Sequence, residues 1–349
     1  MLENNARTEL SSLGEFGLIK ELTRQIELKN SSSIKGVGDD AAVINYTNTD
    51  TVTLVSTDML VEGVHFDLTY VPLKHLGYKS AVVNFSDIYA MNGQPKQIVV
   101  SLALSSRFSL EAVEELYAGI YLACEKYGVD VVGGDTTSSL SGLIINITVL
   151  GEADKNKVVY RNGAKEGNLL CVSGDLGGAY MGLQILEREK AVFKENPNIQ
   201  PDLEGKDYIL ERQLKPEARK DIVKLFHDLN LQPTSMIDIS DGLASEILHI
   251  CTQSETGCEL YEEKIPFDQQ TYDTARQFNL DATVCALSGG EDYELLFTID
   301  AADYDKVKNL PDFTIIGHIT NKEKGRNLIT KSGVVAELKA QGWDALLKN

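Results

Sequence analysis

"IKGVGDDAAVI", residues 34–44, sets two adjacent carboxylates, Asp39 and Asp40, just past two glycines and ahead of an apolar run. Neighbouring carboxylates at a flexible turn repel each other unless a cation lies between or beside them. The stretch formally fits the dinucleotide pattern G-x-G-x-x-A. However, it follows "SSSIK" rather than a strand, and its aspartates stand where a pyrophosphate needs bare N–H groups. A Rossmann reading is rejected on that ground. No G-x-x-x-x-G-K-[ST] occurs, which removes the P-loop as well.

The same arrangement returns along the chain. Apolar segments run into acidic tips at "VSTD" (Asp58), "VVGGD" (Asp135) and "IDISD" (Asp238, Asp241). "NFSD" places Asp87 on a helix, and "SGGED" adds Glu291 and Asp292. Any one of these is ordinary turn or capping chemistry. Their number and their bias toward aspartate favour a shared role in holding divalent cations. Magnesium takes oxygen ligands, keeps several waters, and is commonly held by one or two carboxylates plus substrate phosphates. Scattered aspartates converging on one cleft suit that chemistry. They do not suit a calcium loop, since "DISDGLASEILH" has its glycine fifth rather than sixth. "VSGDLGGAYMG" (172–182) is a weaker, strand–glycine–helix candidate for phosphate binding.

Length and charge frame this reading. A chain of 349 residues is long for one core, so two domains are expected. Lys and Arg total 33 against 52 Asp and Glu, a net charge of −19. Such a surface repels nucleic-acid phosphates and anionic membranes, so neither is expected as a partner. An anionic substrate then needs metal ions to neutralise its approach. The five cysteines show no C-x-x-C or zinc spacing and read as isolated thiols in a reducing cytoplasm. The polar start "MLENNARTELSS" lacks signal-peptide order, and no apolar run reaches membrane-spanning length.

Helices and strands interleave throughout, which predicts layered α/β or α+β architecture. Helices are expected over 15–28, 72–91 and 109–128, the last with Ser109 as N-cap and Gly128 as its stop. Strands are expected at 51–60, 96–105, "VDVVGGD" and "GLIINITVLGEA". A polar stretch from about residue 153 marks the domain boundary. Beyond it, "LLCVSG", "SMIDIS" and "FTIIGHI" read as strands, and Pro216 as the first residue of a helix. "ATVCALSGGEDYELLFTI" reads as two strands around a glycine turn.

Taken in order, "GVGDDAAVI", "STDMLVEGVHF", "NFSDIYAMNG", "VVGGDTT", "IDISDGL" and "LSGGEDYELLF" resemble the thiamine-monophosphate kinase family. That family lies in the superfamily of ATP-using enzymes that includes aminoimidazole ribonucleotide synthetase. The resemblance implies a two-domain α+β fold. Residues 1–152 would bind magnesium and ATP and contribute a sheet to a homodimer interface, and residues 153–349 would form an α/β sandwich completing the active site. It implies transfer of the ATP γ-phosphoryl group to thiamine monophosphate, assisted by several Mg2+ ions. By position, Asp40, Ser56, Thr57, Asp58, Asp87, Asp135, Asp238 and Asp241 match metal-binding residues, with Asp58, Asp87 and Asp135 at the chemistry. Gly134, Asp135, Arg161 and Ser240 match nucleotide contacts. Tyr117 fits either the adenine or the core face of its helix. His65, Glu291 and Trp343 match the thiamine side. Ser138 stands after "GGDTT" where the family often has a basic residue.

Overall fold

A computed structural model describes residues 10–47 and 49–340; Trp343 lies outside the described residues. The first half runs α1 (Gly14–Thr23), β1 (Ser33–Lys35), β2 (Ala42–Ile44), β3 (Thr51–Val61), α2 (Leu73–Ala90), β4 (Gln94–Leu104), α3 (Leu110–Tyr127), β5 (Asp130–Ser138) and β6 (Ile144–Asp154). Its strands form a mixed six-stranded sheet in the order β1-β2-β3-β6-β4-β5, parallel only between β4 and β5. The second half runs β7 (Leu169–Ser173), α4 (Gly178–Glu195), α5 (Asp207–Leu214), α6 (Lys220–Asp228), β8 (Ser235–Asp238), α7 (Leu243–Gln253), β9 (Gly257–Tyr261), α8 (Gln269–Gln277), α9 (Ala282–Ser288), β10 (Leu295–Ile299), α10 (Tyr304–Val307), β11 (Phe313–Thr320), β12 (Arg326–Ile329) and β13 (Val335–Glu337). Its seven strands are ordered β13-β12-β9-β11-β7-β10-β8.

Helix α2 organises the molecule. It is buried nearly all round, because it lies on the first sheet, beside α3, and against β8 of the second sheet. Two glycines allow the α2–α3 contact. A Cβ on Gly77 would lie 1.9 Å from the Leu116 carbonyl oxygen, and one on Gly119 would lie 1.9 Å from that of Lys74. No side chain fits at such separations. The inward faces of β3, β6 and β4 supply Leu54, Ile147 and Ile98 to a core that continues into Phe226, Phe297 and Phe313 of the second half. Alternation along these strands leaves the other face of the sheet uncovered by the described residues. Met59 and Val132 of the first half are exposed, and so is the apolar stripe Phe16, Ile19 and Leu22 of α1.

Helix α3 has the expected ends. Ser109 Oγ accepts from the Ala112 N–H, and Gly128 adopts a left-handed conformation at φ 75°. Four expectations fail. Ser33–Lys35 before the glycine turn is a short strand, β1, and α1 stops at Thr23 rather than reaching residue 28. Pro216 does not open a helix; α6 begins at Lys220, because residues 216–219 are drawn into the domain interface. There the Ala218 N–H donates to Tyr127 Oη at 2.9 Å, and Glu217 accepts from the hydroxyls of Tyr78 and Tyr127. Residues 282–288 form a helix rather than a strand, since Asp281 caps them by accepting from the Thr283 N–H. All five cysteines are buried free thiols. Among the described residues, no helix is long and apolar enough to cross a membrane.

Candidate active site

A cleft of about 820 Å3 opens between the two halves and is lined by Asp58, His65, Asp87, Asp238, Asp241 and Glu291, among others. At its head, Asp40, Asp87 and Asp238 each present a carboxylate oxygen within 4.8 Å of the others. These residues come from the turn before β2, from α2 and from the end of β8, so three distant segments build one cage. Ser56 Oγ donates to Asp87 at 2.5 Å, and Ser86 Oγ donates to Asp238 at 2.6 Å. Asn84 accepts from the Asp58 N–H at 3.1 Å, fixing β3 against α2. Lys35 Nζ pairs with Asp39 Oδ2 at 3.2 Å, and the cation nearest the cage is Arg161. Its Nη2 lies 2.6 Å from Asp40 Oδ1, and its backbone N–H donates to Asp39.

One arginine does not balance so many acids. Burial pushes the Asp40 carboxyl up to about 7, with Asp238 and Asp39 adding to the rise and Arg161 opposing it. Burial takes Asp58 to about 6. Asp238 also reaches about 6, through burial and the charges of Asp58 and Asp241, against the Ser86 hydrogen bond and Arg161. Asp87 is raised well above the usual carboxylate range, first by burial and then by Asp58, Asp238 and Asp40. The second oxygen of Asp40 is buried with no hydrogen-bond partner. A buried, oxygen-only, charge-starved cage is what a hard divalent cation fits.

The loop after β8 is held from behind by a residue the sequence reading missed. Glu246 on α7 is buried and accepts from the Ser240 N–H at 3.0 Å and the Asp241 N–H at 2.7 Å. Its signal was present: an acid in the first turn of a helix following a polar loop is an N-terminal capping pattern. Glu291 packs against the same loop, its N–H donating to the Ser240 carbonyl at 2.7 Å. Burial lowers the His65 pKa, and its Nδ1 accepts from the Val61 N–H at 3.0 Å. This leaves the proton of the neutral ring on Nε2.

Three expected site residues stand elsewhere in this chain. Strand register aligns Asp58 with Ile147, Val100 and Gly134 on the covered face. Asp135 aligns with Ser101, Asn146 and Met59 on the uncovered one. Three strand spacings, about 14 Å, separate β5 from β3. The Thr57 hydroxyl is on that same outer face, beside Thr148 Oγ1 at 3.0 Å. Tyr117 is half-buried against the first core, its ring 5.6 Å from that of Tyr121. Gly134 permits close strand packing: a Cβ there would lie 2.0 Å from the Val100 carbonyl oxygen.

The glycine turn at 174–178 is not a phosphate cradle. Asp292 already accepts from its Gly177 and Ala179 N–H groups, at 2.7 and 3.4 Å. The acidic tip "SGGED" therefore divides, with Glu291 in the cleft and Asp292 capping α4.

Two mixed sheets meeting at an acidic interdomain cleft make this a two-domain α+β protein with a candidate metal centre between its halves. Residues 38–153 match the family model described as AIR synthase related protein, N-terminal domain. Thiamine-monophosphate kinase of Bacillus subtilis (strain 168) is 32% identical over 95% of this chain and 99% of its own. That of Aquifex aeolicus (strain VF5) is 33% identical over 96% and 98%. A solved structure described as AaThiL complexed with AMPPCP and TMP superposes with a TM-score of 0.80 at 32% identity, covering 97% of this chain and 99% of that one. The chain belongs to the thiamine-monophosphate kinase family.

Proposed function

We propose that the protein transfers the γ-phosphoryl group of ATP in line to thiamine monophosphate, yielding thiamine diphosphate and ADP. A terminal phosphate oxygen of the acceptor bonds to Pγ as the bridge between Pγ and the β-phosphate breaks. The observation that carries this reading is the buried Asp40–Asp87–Asp238 cage at the head of a cleft that also holds His65 and Glu291.

The acceptor oxygen belongs to a phosphate monoester with a second pKa of about 6, so it is largely ionised at neutral pH and needs no general base. The barrier is repulsion between two polyanions on an acidic protein. Several Mg2+ ions, when bound, neutralise that repulsion and stabilise charge on the transferred group. Asp40, Asp58, Asp87, Asp238 and Asp241, with Ser56, would hold them. Arg161 and Ser240 lie beside this cage and take the nucleotide side. The neutral His65 lines the cleft without adding positive charge near a cationic thiazolium. Trp343 is assigned to the thiamine side from the sequence alone.

Asp135 and Thr57 are reconciled with this role by a homodimer. In a two-fold interface through the uncovered sheet face, a patch pairs with its own copy. Thr57 of one chain would then meet Asp135 of the other. Residues 1–152 would thus supply metal binding and dimerisation, and residues 153–349 would close the cleft. The buried free thiols suit a reducing compartment, and we place the activity in the cytoplasm.

The test is an assay of candidate phosphate acceptors with ATP and Mg2+. ATP consumption that requires thiamine monophosphate and releases its diphosphate is expected. Turnover with a different acceptor alone would sink the reading. Mixed Asp58→Asn and Asp135→Asn subunits should regain activity, because a heterodimer places both defects in one site and leaves the other intact. Failure of complementation in verified heterodimers would remove the shared site.

A further inference from the structure

Behind Glu291 lie two groups that the sequence motifs did not single out. Lys79, on α2, is 4% exposed. Its Nζ lies 2.8 Å from Glu291 Oε1 and donates to the Gln213 carbonyl at 3.1 Å. Gln213, at the end of α5, donates through Nε2 to Glu291 Oε2 at 2.8 Å. Both carboxylate oxygens are therefore anchored, one from each half of the molecule. The Glu291 side chain is 31% exposed toward the cleft and that of Lys79 only 5%, so the carboxylate is in front and the cation behind it.

The backbone is specialised here too. Glu291 sits at φ 58°, left-handed space that a non-glycine residue enters at a cost. An ion pair this deep is poor stabilisation, since burying an ammonium costs several kcal/mol and an apolar pair often does as well. What it does supply is a fixed direction for the carboxylate.

The location adds meaning. Lys79, Val83 and Asp87 follow at four-residue intervals, so they share one face of α2. Eight residues at 1.5 Å rise put the lysine about 12 Å from the acidic cage. A two-ring monophosphate ester with its phosphate at the cage would bring its ring end to Glu291.

We propose that Lys79 is a positioning residue for the ring end of the substrate, acting through Glu291 together with Gln213. This rests on reading the cleft as the thiamine monophosphate pocket. The test compares KM and kcat of wild type, Lys79→Met, Lys79→Arg, Glu291→Gln and the Lys79→Met/Glu291→Gln double variant. Lys79→Met should raise KM for thiamine monophosphate about tenfold, with kcat and KM for ATP within about twofold. Lys79→Arg should recover most of the loss. The double variant should be no worse than Glu291→Gln, because a group acting through another adds nothing once that other is gone. Multiplying effects, or an equal rise in KM for ATP, would overturn the proposal. Should Lys79→Met fail to fold, Gln213→Leu tests the other arm, and an unchanged KM for thiamine monophosphate there overturns it as well. Wild-type protein with no turnover of thiamine monophosphate would bring down the functional reading itself, a result distinct from all of these.

Discussion

Two buried clusters of charge, one inside the second half and one between the halves, are built on opposite rules. In the first, Arg212 pairs with Glu294 at 2.8 Å and with Asp292 at 3.6 Å, while Arg219 pairs with Glu294 and with Asp221. Each of the three acids there has an arginine partner, though the arginines number only two, and Ser173 and the α4 amides take the remaining oxygens. In the second, Arg161 pairs with Asp40, while Asp58, Asp87 and Asp238 have no ion-pair partner among the described residues. The first is a closed account that holds α4, α5, α6 and β10 together. The second is left short of positive charge by the chain itself. Burial of acids thus has two meanings, and the count of nearby cations separates them.

The sharpest way to break the contrast is to unbalance the closed cluster. Arg212→Met leaves Asp292 and Glu294 buried without their main partner and should cost about 3–5 kcal/mol of stability, read from urea unfolding. A loss under about 1 kcal/mol would show that the cluster is not what binds those helices. The converse change is in the cage. Asp58→Asn should lower kcat by about 10²–10³-fold, yet leave the metal-free protein melting no lower than wild type, since a destabilising buried charge is removed. Near-normal turnover at saturating Mg2+ would take Asp58 out of the chemistry.

A smaller effect follows from protons. Asp40, Asp58 and Asp238 stand at about 7, 6 and 6 when folded, above their ordinary value of 3.8. An acid harder to ionise in the folded state stabilises folding below its unfolded pKa and loses that contribution as pH rises through its folded one. The cage's contribution without cation should therefore fall between about pH 4 and 7. Mg2+ binds the ionised form, so the rise in Tm it causes should be larger at pH 8 than at pH 5.5. Calorimetric scans at both values check this, and an equal rise would count against metal binding at these carboxylates. The smallest effect belongs to a third, solvent-edge set, in which Lys190 bridges Asp67 at 2.8 Å and Glu187 at 3.0 Å. Lys190→Met should cost under about 1 kcal/mol in the same urea titration, as exposed pairs usually do.

The cage was legible in the sequence because its chemistry is local. Asp40 stands at a glycine turn, Asp87 in a helical motif and Asp238 at the end of an apolar strand, and short motifs carry that signal. Asp135 carries it equally, but its face depends on a register shift between β4 and β5 near Ile98, which no local pattern announces. Lys79, Gln213 and Arg212 were hidden for a different reason. They sit in ordinary helical sequence, and their roles exist only because another segment arrives opposite them. Pro216 misled for a third reason: its local preference lost to the hydrogen bonds that residues 217–219 make with Tyr78, Tyr127 and Glu294. Residues 282–288 lost their apparent strand to one capping aspartate.

The bridges around the cleft have a consequence for motion. Arg161 with Asp40, Lys79 with Glu291, and Glu217 with Tyr78 and Tyr127 tie the halves at separate points. A hinge would have to break several of them at once. A mouth laced at three separate points is built as a jig cut to size rather than as a jaw.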